Sequence, residues 1–494
     1  MITVTLMAAD PMEAVRQALE HQQYASGVEL RLDCWLAINP EKLVLCLGEL
    51  KGRFENVVLT VRLPRDGGKW SGTRKARNSL LLELIPGLQS DIYLDLEIEQ
   101  INDPDDQEIV RLCKAKGFSI IRSSHCFDPG INHELLDKMG DVPSDELPKI
   151  AIMPSSTSDL LDLLKFARSY RFGNQIVLGM GEWGLPSRLC PAVFGSRWTY
   201  AAAAVAGAPG QLDASELAGR FFTHRMNQDS RYFAIFGNPV SHSRSPDFHN
   251  PIFQSSDFNA GYILFPLSRA ENGARVIREW PLCGASITVP HKQGTLLWPG
   301  AKADDAVKAV GAANTVVTQG QDLLLFNTDV EGFLSPLRQA GFQFDGARCV
   351  VIGAGGAGRA AVYGLAKNGA QVLIVNRTVE KAQKLASQMR DCLAGARVLA
   401  ESMDKAVEGM RAFAPQLIVQ TTDVGMEPDV MADPLPDWSF SGDELVYDII
   451  YTPPQTSFLG RALAAGCRII NGQGMFDAQA AAQSRLFLDA LAAQ

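Results

Sequence analysis

The sequence predicts an α/β protein in which an N-terminal (β/α)8 barrel precedes a second α/β half that contains a Rossmann domain. Short apolar segments alternate with amphipathic ones over about the first 210 residues, as in a barrel. A glycine-rich turn stands between an apolar segment and an alanine-rich one near residue 350, as in a dinucleotide-binding fold. With 494 residues the chain is too long for one hydrophobic core, so two or three domains are expected.

Composition and charge narrow the class of protein. Apolar residues make up 46% and charged residues 20%, which is typical of a globular enzyme. The net charge of −9 argues against a nucleic-acid or anionic-membrane partner, although a local basic site is compatible with it. No apolar run approaches about 18 residues, and the N-terminus lacks the features of a signal peptide. The nine cysteines form no C-x-x-C pair, so we expect a reducing cytoplasm and no metal site.

The barrel prediction depends on eight strand-like segments at intervals of about 25 residues. They are ITVTLMA (2–8), VELRLDC (28–34), VVLTVRL (57–63), DIYLDLE (91–97), FSIIRSSH (118–125), KIAIMP (149–154), QIVLGM (175–180) and RWTYAAAAV (197–205). Between them lie segments with helical periodicity. An open doubly wound sheet is the alternative, but it rarely needs eight strands in so short a span.

Charged side chains on these strands predict an active site inside the barrel. Glu29 and Arg31 stand on the second strand, Arg62 ends the third, His125 ends the fifth and Lys149 opens the sixth. A single Arg or His in a barrel is more often structural than catalytic. Convergence of several charges is harder to explain by packing, because buried charges need partners. Chemistry in such barrels lies at the carboxyl ends of the strands.

Lys149 suggests the kind of chemistry. A lysine that is partly desolvated and surrounded by cations should have a depressed pKa, so its neutral amine can attack a carbonyl. The iminium that results makes a neighbouring C–H acidic, and His125 can remove and return that proton. The chemistry is that of a Schiff-base aldolase or dehydratase.

The first half resembles type I 3-dehydroquinate dehydratase over about residues 1–215. The resemblance is carried by the segments ELRLD, TVRLPRDGG, SSHCF, PKIAIMP, SRL, VFGS and APGQ, in that order. It implies that Lys149 forms the Schiff base and that His125 is the general acid and base. Arg62 and Arg188 would hold the substrate's carboxylate and hydroxyls. It further implies that the pocket is completed by Glu29, Arg31 and Gln211.

Three features depart from that family's pattern. Asp66 stands where the family commonly has Glu, and Gly207 where it often has Ser. The hairpin that often precedes the first strand is missing, since that strand begins almost at Met1.

A polar stretch at residues 216–230 is expected to link the barrel to the second half. The segment FGNPVSHSRSP follows it, with hydroxyls at Ser243 and Ser245 that suit a carboxylate. Taken alone, that stretch is better explained as an ordinary serine-rich turn.

The clearest motif of the second half is GAGGAG, which directly follows an apolar strand and opens an alanine-rich helix. In this context the pattern G-x-G-x-x-G predicts a dinucleotide site, because the glycines let backbone amides approach a pyrophosphate. The expected cofactor-binding residues are Gly353, Ala354, Gly355, Gly356, Ala357, Gly358, Asn376, Arg377, Thr378 and Gly474.

The end of the next strand predicts NADP as the cofactor. The strand QVLIVNRT ends in Asn376, Arg377 and Thr378 and has no acid until Glu380, whereas NAD sites usually carry an acid there. Arg377 suits a 2′-phosphate, and Arg359 could add a second cation. The alternative is that Arg377 is a solvated loop residue and that both cofactors are tolerated.

From about Tyr232 onward the chain resembles shikimate dehydrogenase. Its motifs are FGNPVSHSRSP, GASITVPHK, GAANTVV, NTDVEGF, GAGGAGRA, NRT, YDIIYTPPQTSFL and NGQGMFDAQA. The resemblance implies that Lys292 and Asp329 form the catalytic pair, although alone they would be taken for a surface ion pair. It gives substrate-binding roles to Ser243, Ser245, Thr288, Asn314, Tyr451 and Gln479. Ser286 stands where the family often has Asn.

The two resemblances imply a bifunctional enzyme, because the product of the first reaction, 3-dehydroshikimate, is the ketone that the second reduces to shikimate. The expected domains are the barrel at 1–215, a substrate-binding domain at 231–334 completed by a C-terminal helix at 476–494, and an NADP-binding Rossmann domain at 335–475. One alternative is a non-catalytic metabolite sensor, which should have lost the catalytic residues. The other is a catabolic quinate/shikimate dehydrogenase.

Overall fold

The computed structural model describes residues 1–493, which form two compact units. The first unit contains residues 1–268 and 275–282, and the second contains residues 269–274 and those from 283 onward. None of the helices within residues 1–493 is long and apolar enough to cross a membrane.

The first unit begins with eight parallel strands. They are β1 (Ile2–Leu6), β2 (Gly27–Arg31), β3 (Asn56–Thr60), β4 (Tyr93–Glu97), β5 (Ser119–Pro129), β6 (Leu147–Met153), β7 (Ile176–Gly179) and β8 (Thr199–Ala202). Their order is β7-β6-β5-β4-β3-β2-β1-β8, and a parallel bridge between Gln175 and Ser196 brings the two edges together just before β7 and β8. The predicted (β/α)8 barrel and all eight of its strands are confirmed.

Helices follow the strands as the sequence predicts. They are α1 (Pro11–His21), α2 (Pro40–Leu50), α3 (Arg74–Leu84), α4 (Pro104–Ala115), α5 (His133–Lys138), α6 (Thr157–Ser169), α7 (Gly181–Leu189) and α8 (Ala214–Gly219). Asp10, Asn39 and Asp103 cap α1, α2 and α4 by accepting hydrogen bonds from first-turn amides, and a proline follows each. A side-chain cap and a proline in the first turn both favour helix initiation.

The barrel interior changes from apolar to charged along the strand direction. Towards the amino ends, buried apolar side chains pack together, among them Val58, Ile121 and Trp198. Side chains alternate between the two faces of a strand, so the next inward position on β6 after Leu147 is Lys149. A layer of buried apolar side chains therefore lies beneath the charged residues.

The rest of the first unit contains β9 (Arg231–Gly237), α9 (Ser245–Gln254) and β10 (Ala260–Pro266), with β9 and β10 parallel. Trp280 lies in the same unit and packs edge-on against Phe194 of the barrel, with ring centroids 5.4 Å apart. Arg168 of α6 donates a hydrogen bond to the carbonyl of Glu279 at 2.5 Å.

The second unit contains two groups of strands. Strand β11 (Leu282–Ile287) pairs antiparallel with β13 (Thr315–Gln319), β13 with β14 (Asp322–Phe326), and β14 parallel with β12 (Ala301–Ala303). Helices α11 (Asp305–Val310) and α12 (Asp329–Gln339) belong to this unit, whereas α10 (Asn272–Glu279) has residues 272–274 in the second unit and residues 275–279 in the first.

The other group is the predicted Rossmann sheet, which is confirmed. Its strands are β15 (Arg348–Ile352), β16 (Gln371–Asn376), β17 (Val398–Ser402), β18 (Leu417–Gln420), β19 (Leu445–Asp448) and β20 (Arg468–Ile470), in the order β17-β16-β15-β18-β19-β20. The helices are α13 (Gly356–Lys367), α14 (Val379–Cys392), α15 (Ala406–Phe413), α16 (Ser457–Ala464) and α17 (Gln473–Ala492). The order reverses between β15 and β18, where such sheets bind ligands.

The domain boundaries at 215, 230, 334 and 475 stay predictions. Helix α8 and an irregular stretch fill most of the expected linker at 216–230. The expected C-terminal helix at 476–494 corresponds to α17, and its last residue, 494, lies outside the described residues.

Candidate active sites

The seven residues predicted for the barrel site line one cleft at the carboxyl ends of the strands. They are Glu29, Arg31, Arg62, His125, Lys149, Arg188 and Gln211. Each comes from a different strand or from the segment after one, except Glu29 and Arg31, which share β2. The barrel therefore assembles in one place residues that are up to 182 positions apart in the sequence.

Lys149 is at the centre of this cluster and is only 3% exposed. Its Nζ donates hydrogen bonds to Oδ2 of Asp95 at 2.9 Å and to Oε1 of Glu29 at 3.3 Å. The ring of Tyr200 lies below it, with Nζ 4.1 Å from the ring centroid. Two carboxylates and an aromatic face thus surround the ammonium group.

The predicted depressed pKa of Lys149 is wrong. Burial alone would lower the pKa, but the charges of Asp95 and Glu29 outweigh burial and raise it above its ordinary value. The charged groups in contact with the amine are carboxylates, and the opposing effect of the expected cation, Arg62, is smaller than theirs. Lys149 therefore rests as an ammonium ion and must lose a proton before it can act as a nucleophile.

Arg62 lies beside the lysine and shares its acidic partner. Its Nη2 donates to Oδ2 of Asp95 at 2.9 Å, and its Nη1 donates to Ser123 Oγ at 2.7 Å. Glu29 is 3.7 Å from Nη2. The guanidinium is fixed by these contacts, so it presents a rigid cation to the cleft.

His125 is positioned to act as a base. Its Nδ1 lies 3.2 Å from Nη1 of Arg62, and its side chain is 11% exposed. Burial, together with the positive charges of Arg62 and Lys149, lowers the pKa of His125 well below its ordinary value. A neutral imidazole can accept a proton, as the predicted role requires.

Asp66 lies next to His125. Its Oδ1 accepts a hydrogen bond from the backbone N–H of His125 at 3.3 Å and is 3.8 Å from Nδ1 of the ring. Burial and the nearby charge of Glu97 raise the pKa of Asp66 to about 6. The Asp66 side chain, although shorter than a glutamate, thus reaches the backbone N–H of His125.

The two remaining arginines of the cleft differ in their partners. Arg31 forms two hydrogen bonds with Asp33, at 2.8 and 2.7 Å. Arg188 is 2% exposed and donates to the carbonyls of Gly179 at 3.0 Å and Pro209 at 3.4 Å. Within residues 1–493 Arg188 forms no ion pair, and burial lowers its pKa to about 10. A buried cation without an acid suits an anionic substrate group.

The wall opposite is formed by the segment after β8. Gln211 accepts a hydrogen bond from the backbone of Gly207 at 2.7 Å and donates to Thr5 at 3.2 Å. The glycine's N–H thus helps to orient the predicted substrate-binding amide.

The second predicted catalytic pair, Lys292 and Asp329, lies in the second unit. Nζ of Lys292 donates to Oδ2 of Asp329, and the side chains are 18% and 6% exposed. Asp329 is the first residue of α12, where backbone N–H groups favour a negative charge. Asn314 donates to Oδ1 of Asp329 at 2.8 Å and to Thr328 Oγ1 at 2.8 Å. Both oxygens of the Asp329 carboxylate are therefore hydrogen-bonded, one to Lys292 and the other to Asn314.

A second layer of hydrogen bonds supports Asn314. Gln483 of α17 donates to the carbonyl of Asn314 at 3.1 Å, and Ser286 donates to Oε1 of Gln483 at 2.9 Å. Ser286 is thus part of the support for the site. Sequence reasoning missed Gln483, which has no motif of its own but lies one helical turn after Gln479.

The other predicted substrate-binding residues are placed as follows. Thr288 follows β11, Gln479 lies on α17, and Tyr451 packs against Phe476 with ring centroids 5.2 Å apart; all three are half-buried in the second unit. In the first unit, Ser243 donates a hydrogen bond to Ser245 at 3.2 Å, and Ser245 opens α9.

The glycine-rich turn has the geometry of a phosphate site. Gly353 has φ 111°, a conformation that favours glycine. A Cβ on Gly358 would lie 2.4 Å from the carbonyl oxygen of Gly353, so only glycine lets α13 pack this closely on the strand. Apart from Gly355 and its two chain neighbours, no residue within 1–493 has a heavy atom within 4 Å of the Cβ position of Gly355, which leaves room for a ligand at the amino end of the helix.

A basic cleft of about 450 Å³ adjoins this turn. It is lined by Gln293, Ala354, Gly355, Arg359, Asn376, Arg377, Thr378, Lys381 and Lys384. Lys381 and Lys384 were missed, although their spacing on α14 places them on one face. Gly474 does not line this cleft; it is the second residue of α17, with Pro336 next to it. No group of acidic, His or Cys side chains suited to a metal occurs within the described part of the chain.

Comparison with known proteins divides the chain at the point where its motifs change. The family model of type I 3-dehydroquinase matches residues 2–227, that of the shikimate dehydrogenase substrate-binding domain residues 235–316, and that of shikimate/quinate 5-dehydrogenase residues 337–411.

Relatives match either the whole chain or its second half. The chloroplastic bifunctional 3-dehydroquinate dehydratase/shikimate dehydrogenase of Arabidopsis thaliana is 30% identical, over 94% of this chain and 78% of the relative. The NADP(+) shikimate dehydrogenase of Moorella thermoacetica is 40% identical over 51% of this chain and 86% of the relative. The crystal structure of shikimate 5-dehydrogenase from Listeria monocytogenes, in complex with shikimate and NAD, is 25% identical with a TM-score of 0.50, and covers 54% of this chain and 94% of that one.

Proposed function

Since the chain belongs to the family of bifunctional 3-dehydroquinate dehydratase/shikimate dehydrogenases, we propose that it dehydrates 3-dehydroquinate and then reduces the product, 3-dehydroshikimate, to shikimate with NADPH. The observation that carries the proposal is the cluster around Lys149, in which an amine, a neutral histidine and an unpaired buried arginine share one cleft. Those are the groups that a Schiff-base dehydration of a carboxylated ketone requires.

The first reaction begins with proton loss from Lys149. The proton goes to solvent water, because Asp95, whose Oδ2 is 2.9 Å from Nζ, is held in its ionised form by Arg62 and Lys149. The neutral amine adds to the substrate's ketone, and water leaves as the carbon–nitrogen double bond forms. Arg188 supports this step by binding the substrate carboxylate, because it has no acid of its own among residues 1–493.

His125 carries the elimination. The iminium withdraws electrons, and the neutral imidazole takes a proton from the adjacent carbon. The same proton is returned to the departing hydroxyl group, which leaves as water. Hydrolysis of the imine then releases 3-dehydroshikimate and restores the amine of Lys149.

The second reaction uses the Lys292–Asp329 pair. The residues of the glycine-rich turn and the basic cleft fit NADP, since the glycines leave room for phosphates and the cations suit a 2′-phosphate. NADP in its reduced form supplies the hydride. Lys292 donates a proton to the oxygen of the reduced ketone, and Asp329 holds the ammonium group in place.

Further parts of the proposal follow from the motifs. Ser243 and Ser245 bind the substrate carboxylate, while Thr288, Asn314, Gln479 and Tyr451 bind its hydroxyls. The partners are small molecules. A cytoplasmic location is proposed from the cysteine pattern, since the nine cysteines are all free.

A coupled assay tests the function. Purified protein is given 3-dehydroquinate and NADPH, and shikimate is measured by mass spectrometry. Lys149→Ala should form no shikimate from 3-dehydroquinate but should still reduce added 3-dehydroshikimate, whereas Lys292→Ala should accumulate 3-dehydroshikimate. A wild-type protein that converts neither compound would support the metabolite-sensor alternative. Quinate oxidation faster than shikimate oxidation would favour the alternative of a catabolic quinate/shikimate dehydrogenase.

A further inference from the structure

Two side chains from neighbouring helices hold the carboxyl end of helix α11. Nε of Arg359, in the first turn of α13, donates to the carbonyl of Val310 at 2.6 Å. Nε2 of Gln388, on α14, donates to the carbonyl of Ala309 at 2.8 Å. Arg359 also donates from Nη2 to Oε1 of Gln388, so the two side chains support each other. We call Arg359 and Gln388 the α11 clamp.

The clamp explains why an arginine stands in the first turn of α13. A cation there is unfavourable because helix dipoles favour anions at their amino ends. At the carboxyl end of α11 the same cation is favourable, and the last carbonyls of that helix have no partners within it. Gly311 follows, with φ 69°, and a Cβ on it would lie 2.9 Å from Nη2 of Arg359 and 3.3 Å from Nε2 of Gln388. The segment is therefore fitted closely to the clamp.

The segment that the clamp holds, residues 311–314, contacts both members of the catalytic pair. The N–H of Ala313 donates to the carbonyl of Lys292 at 2.9 Å. Asn314 donates to Asp329 at 2.8 Å. A Cβ on Gly356, in the same helical turn as Arg359, would lie only 3.1 Å from Cδ of Lys292. One short stretch of backbone thus joins the clamp to the lysine and the aspartate.

We propose that Arg359 and Gln388 are positioning residues for the reduction step, which hold residues 311–314 so that Lys292 and Asp329 face the reacting oxygen. The inference rests on the proposed function of the second half. It departs from the expectation that Arg359 is a second cation for the 2′-phosphate, because the guanidinium is bound to Val310 and Gln388. A positioning residue should affect turnover with any nicotinamide cofactor, whereas a phosphate ligand should affect only NADP.

The experiment measures kcat and KM for shikimate oxidation with NADP and with NAD, in the full chain. Arg359→Ala should lower kcat by about 10- to 100-fold with both cofactors, the size of effect that misplacement of reacting groups produces. The NADP-to-NAD ratio should stay within about twofold of wild type. Arg359→Lys should recover part of kcat. Gln388→Ala should lower kcat less, and the double variant should resemble Arg359→Ala, because the two side chains act as one unit.

Three controls make the result decisive. Gln383 is on the same helix, is exposed and makes no side-chain hydrogen bond within residues 1–493, so Gln383→Ala should behave like wild type. Dehydratase activity of each variant reports on the fold of the barrel, and the dissociation constant for NADPH reports on the Rossmann half. If Arg359→Ala no longer binds NADPH, the values of kcat for Gln388→Ala with the two cofactors decide whether the clamp positions the catalytic pair.

The inference is overturned if both single variants keep kcat within twofold of wild type, or if the loss is confined to NADP. The second result would make Arg359 a phosphate ligand. A wild-type protein without dehydrogenase activity would instead refute the proposed function, so the two failures are distinguishable.

Discussion

Oδ2 of Asp95 lies 2.9 Å from Nζ of Lys149 and 2.9 Å from Nη2 of Arg62, so one carboxylate oxygen joins two cations in the barrel interior. Burial alone would raise the pKa of Asp95, but the charges of Arg62 and Lys149 outweigh burial and lower it below its ordinary value. Asp95 is therefore ionised at neutral pH and is the main charge that keeps Lys149 protonated.

Asp95→Asn should lower the pKa of Lys149. The substitution removes the attractive charge but leaves burial, which disfavours the ammonium form. The pH midpoint for reductive methylation of Lys149, followed by peptide mass spectrometry, should fall by about one unit or more, as expected for the loss of a close opposite charge. Glu29→Gln should act in the same direction but more weakly. Asp33→Asn is the control, because Asp33 binds Arg31 instead; an unchanged midpoint in Asp95→Asn would contradict the assignment.

The orientation of Lys149 can be predicted from the sequence, but its contact with Asp95 cannot. Alternation within β6 already predicts that Lys149 faces the interior, because that pattern is local. The partner of Lys149 depends on the relative register of β4, β5 and β6 around the barrel, and no local pattern reports it. The segment DIYLDLE contains the acid at position 95, but the sequence does not indicate that this acid contacts a lysine on β6. The sign of the pKa shift was wrong for the same reason.

In the cofactor cleft, the glycines can be predicted from the sequence but the lysines cannot. Gly353 and Gly358 are recognisable because a turn with their geometry tolerates no other residue type. Lys381 and Lys384 have no such constraint, since a lysine on a helix is usually just solvated. Their relevance appears only once α14 is placed beside the glycine-rich turn.

Asp66 should make the stability of the barrel pH-dependent. Its pKa is about 6 in the folded protein and about 4 in an unfolded chain, so folding favours its protonated form. This contribution to stability is complete below about pH 4 and is lost as the pH rises through 6. Asp66→Asn should therefore be more stable than wild type at pH 8, by up to about 3 kcal/mol, and of similar stability near pH 4. Thermal unfolding monitored at both pH values measures the difference.

The same titration should appear in the dehydratase rate. Above pH 6 the anion of Asp66, 3.8 Å from Nδ1 of His125, favours the imidazolium that forms when His125 takes the substrate's proton. The wild-type value of kcat/KM should fall below about pH 6 as this anion is lost. In Asp66→Asn that fall should disappear and the rate should be low throughout. A variant that keeps the wild-type profile would assign the titration to another group.

Arg188 and Arg31 should respond differently to replacement by methionine. Arg31→Met leaves the buried Asp33 without the cation that balances its charge, which should cost about 3–5 kcal/mol of stability. Arg188→Met removes a buried cation that has no acid among residues 1–493, so the loss should be smaller, about 1–2 kcal/mol for two carbonyl hydrogen bonds. Its effect should appear instead in KM for 3-dehydroquinate, raised by about tenfold or more for the loss of a charge-assisted contact. Equal destabilisation in the two variants, with KM unchanged in Arg188→Met, would reduce Arg188 to a structural role.

NADP should be preferred over NAD because Arg377 is an exposed cation of the basic cleft that makes no ion pair within the described residues. It is therefore available to a 2′-phosphate, and Lys381 and Lys384 add two more charges to the same wall. A charge-assisted pair is worth about 1.5–3 kcal/mol, or roughly ten- to a hundredfold in kcat/KM. Arg377→Ala should remove most of this preference and leave the efficiency with NAD unchanged, since NAD has no phosphate there. Lys381→Ala and Lys384→Ala should lower the preference for NADP less than Arg377→Ala does, because lysine lacks the planar fork of arginine. If wild-type protein uses both cofactors equally well, Arg377 is a solvated loop residue and the basic cleft selects neither.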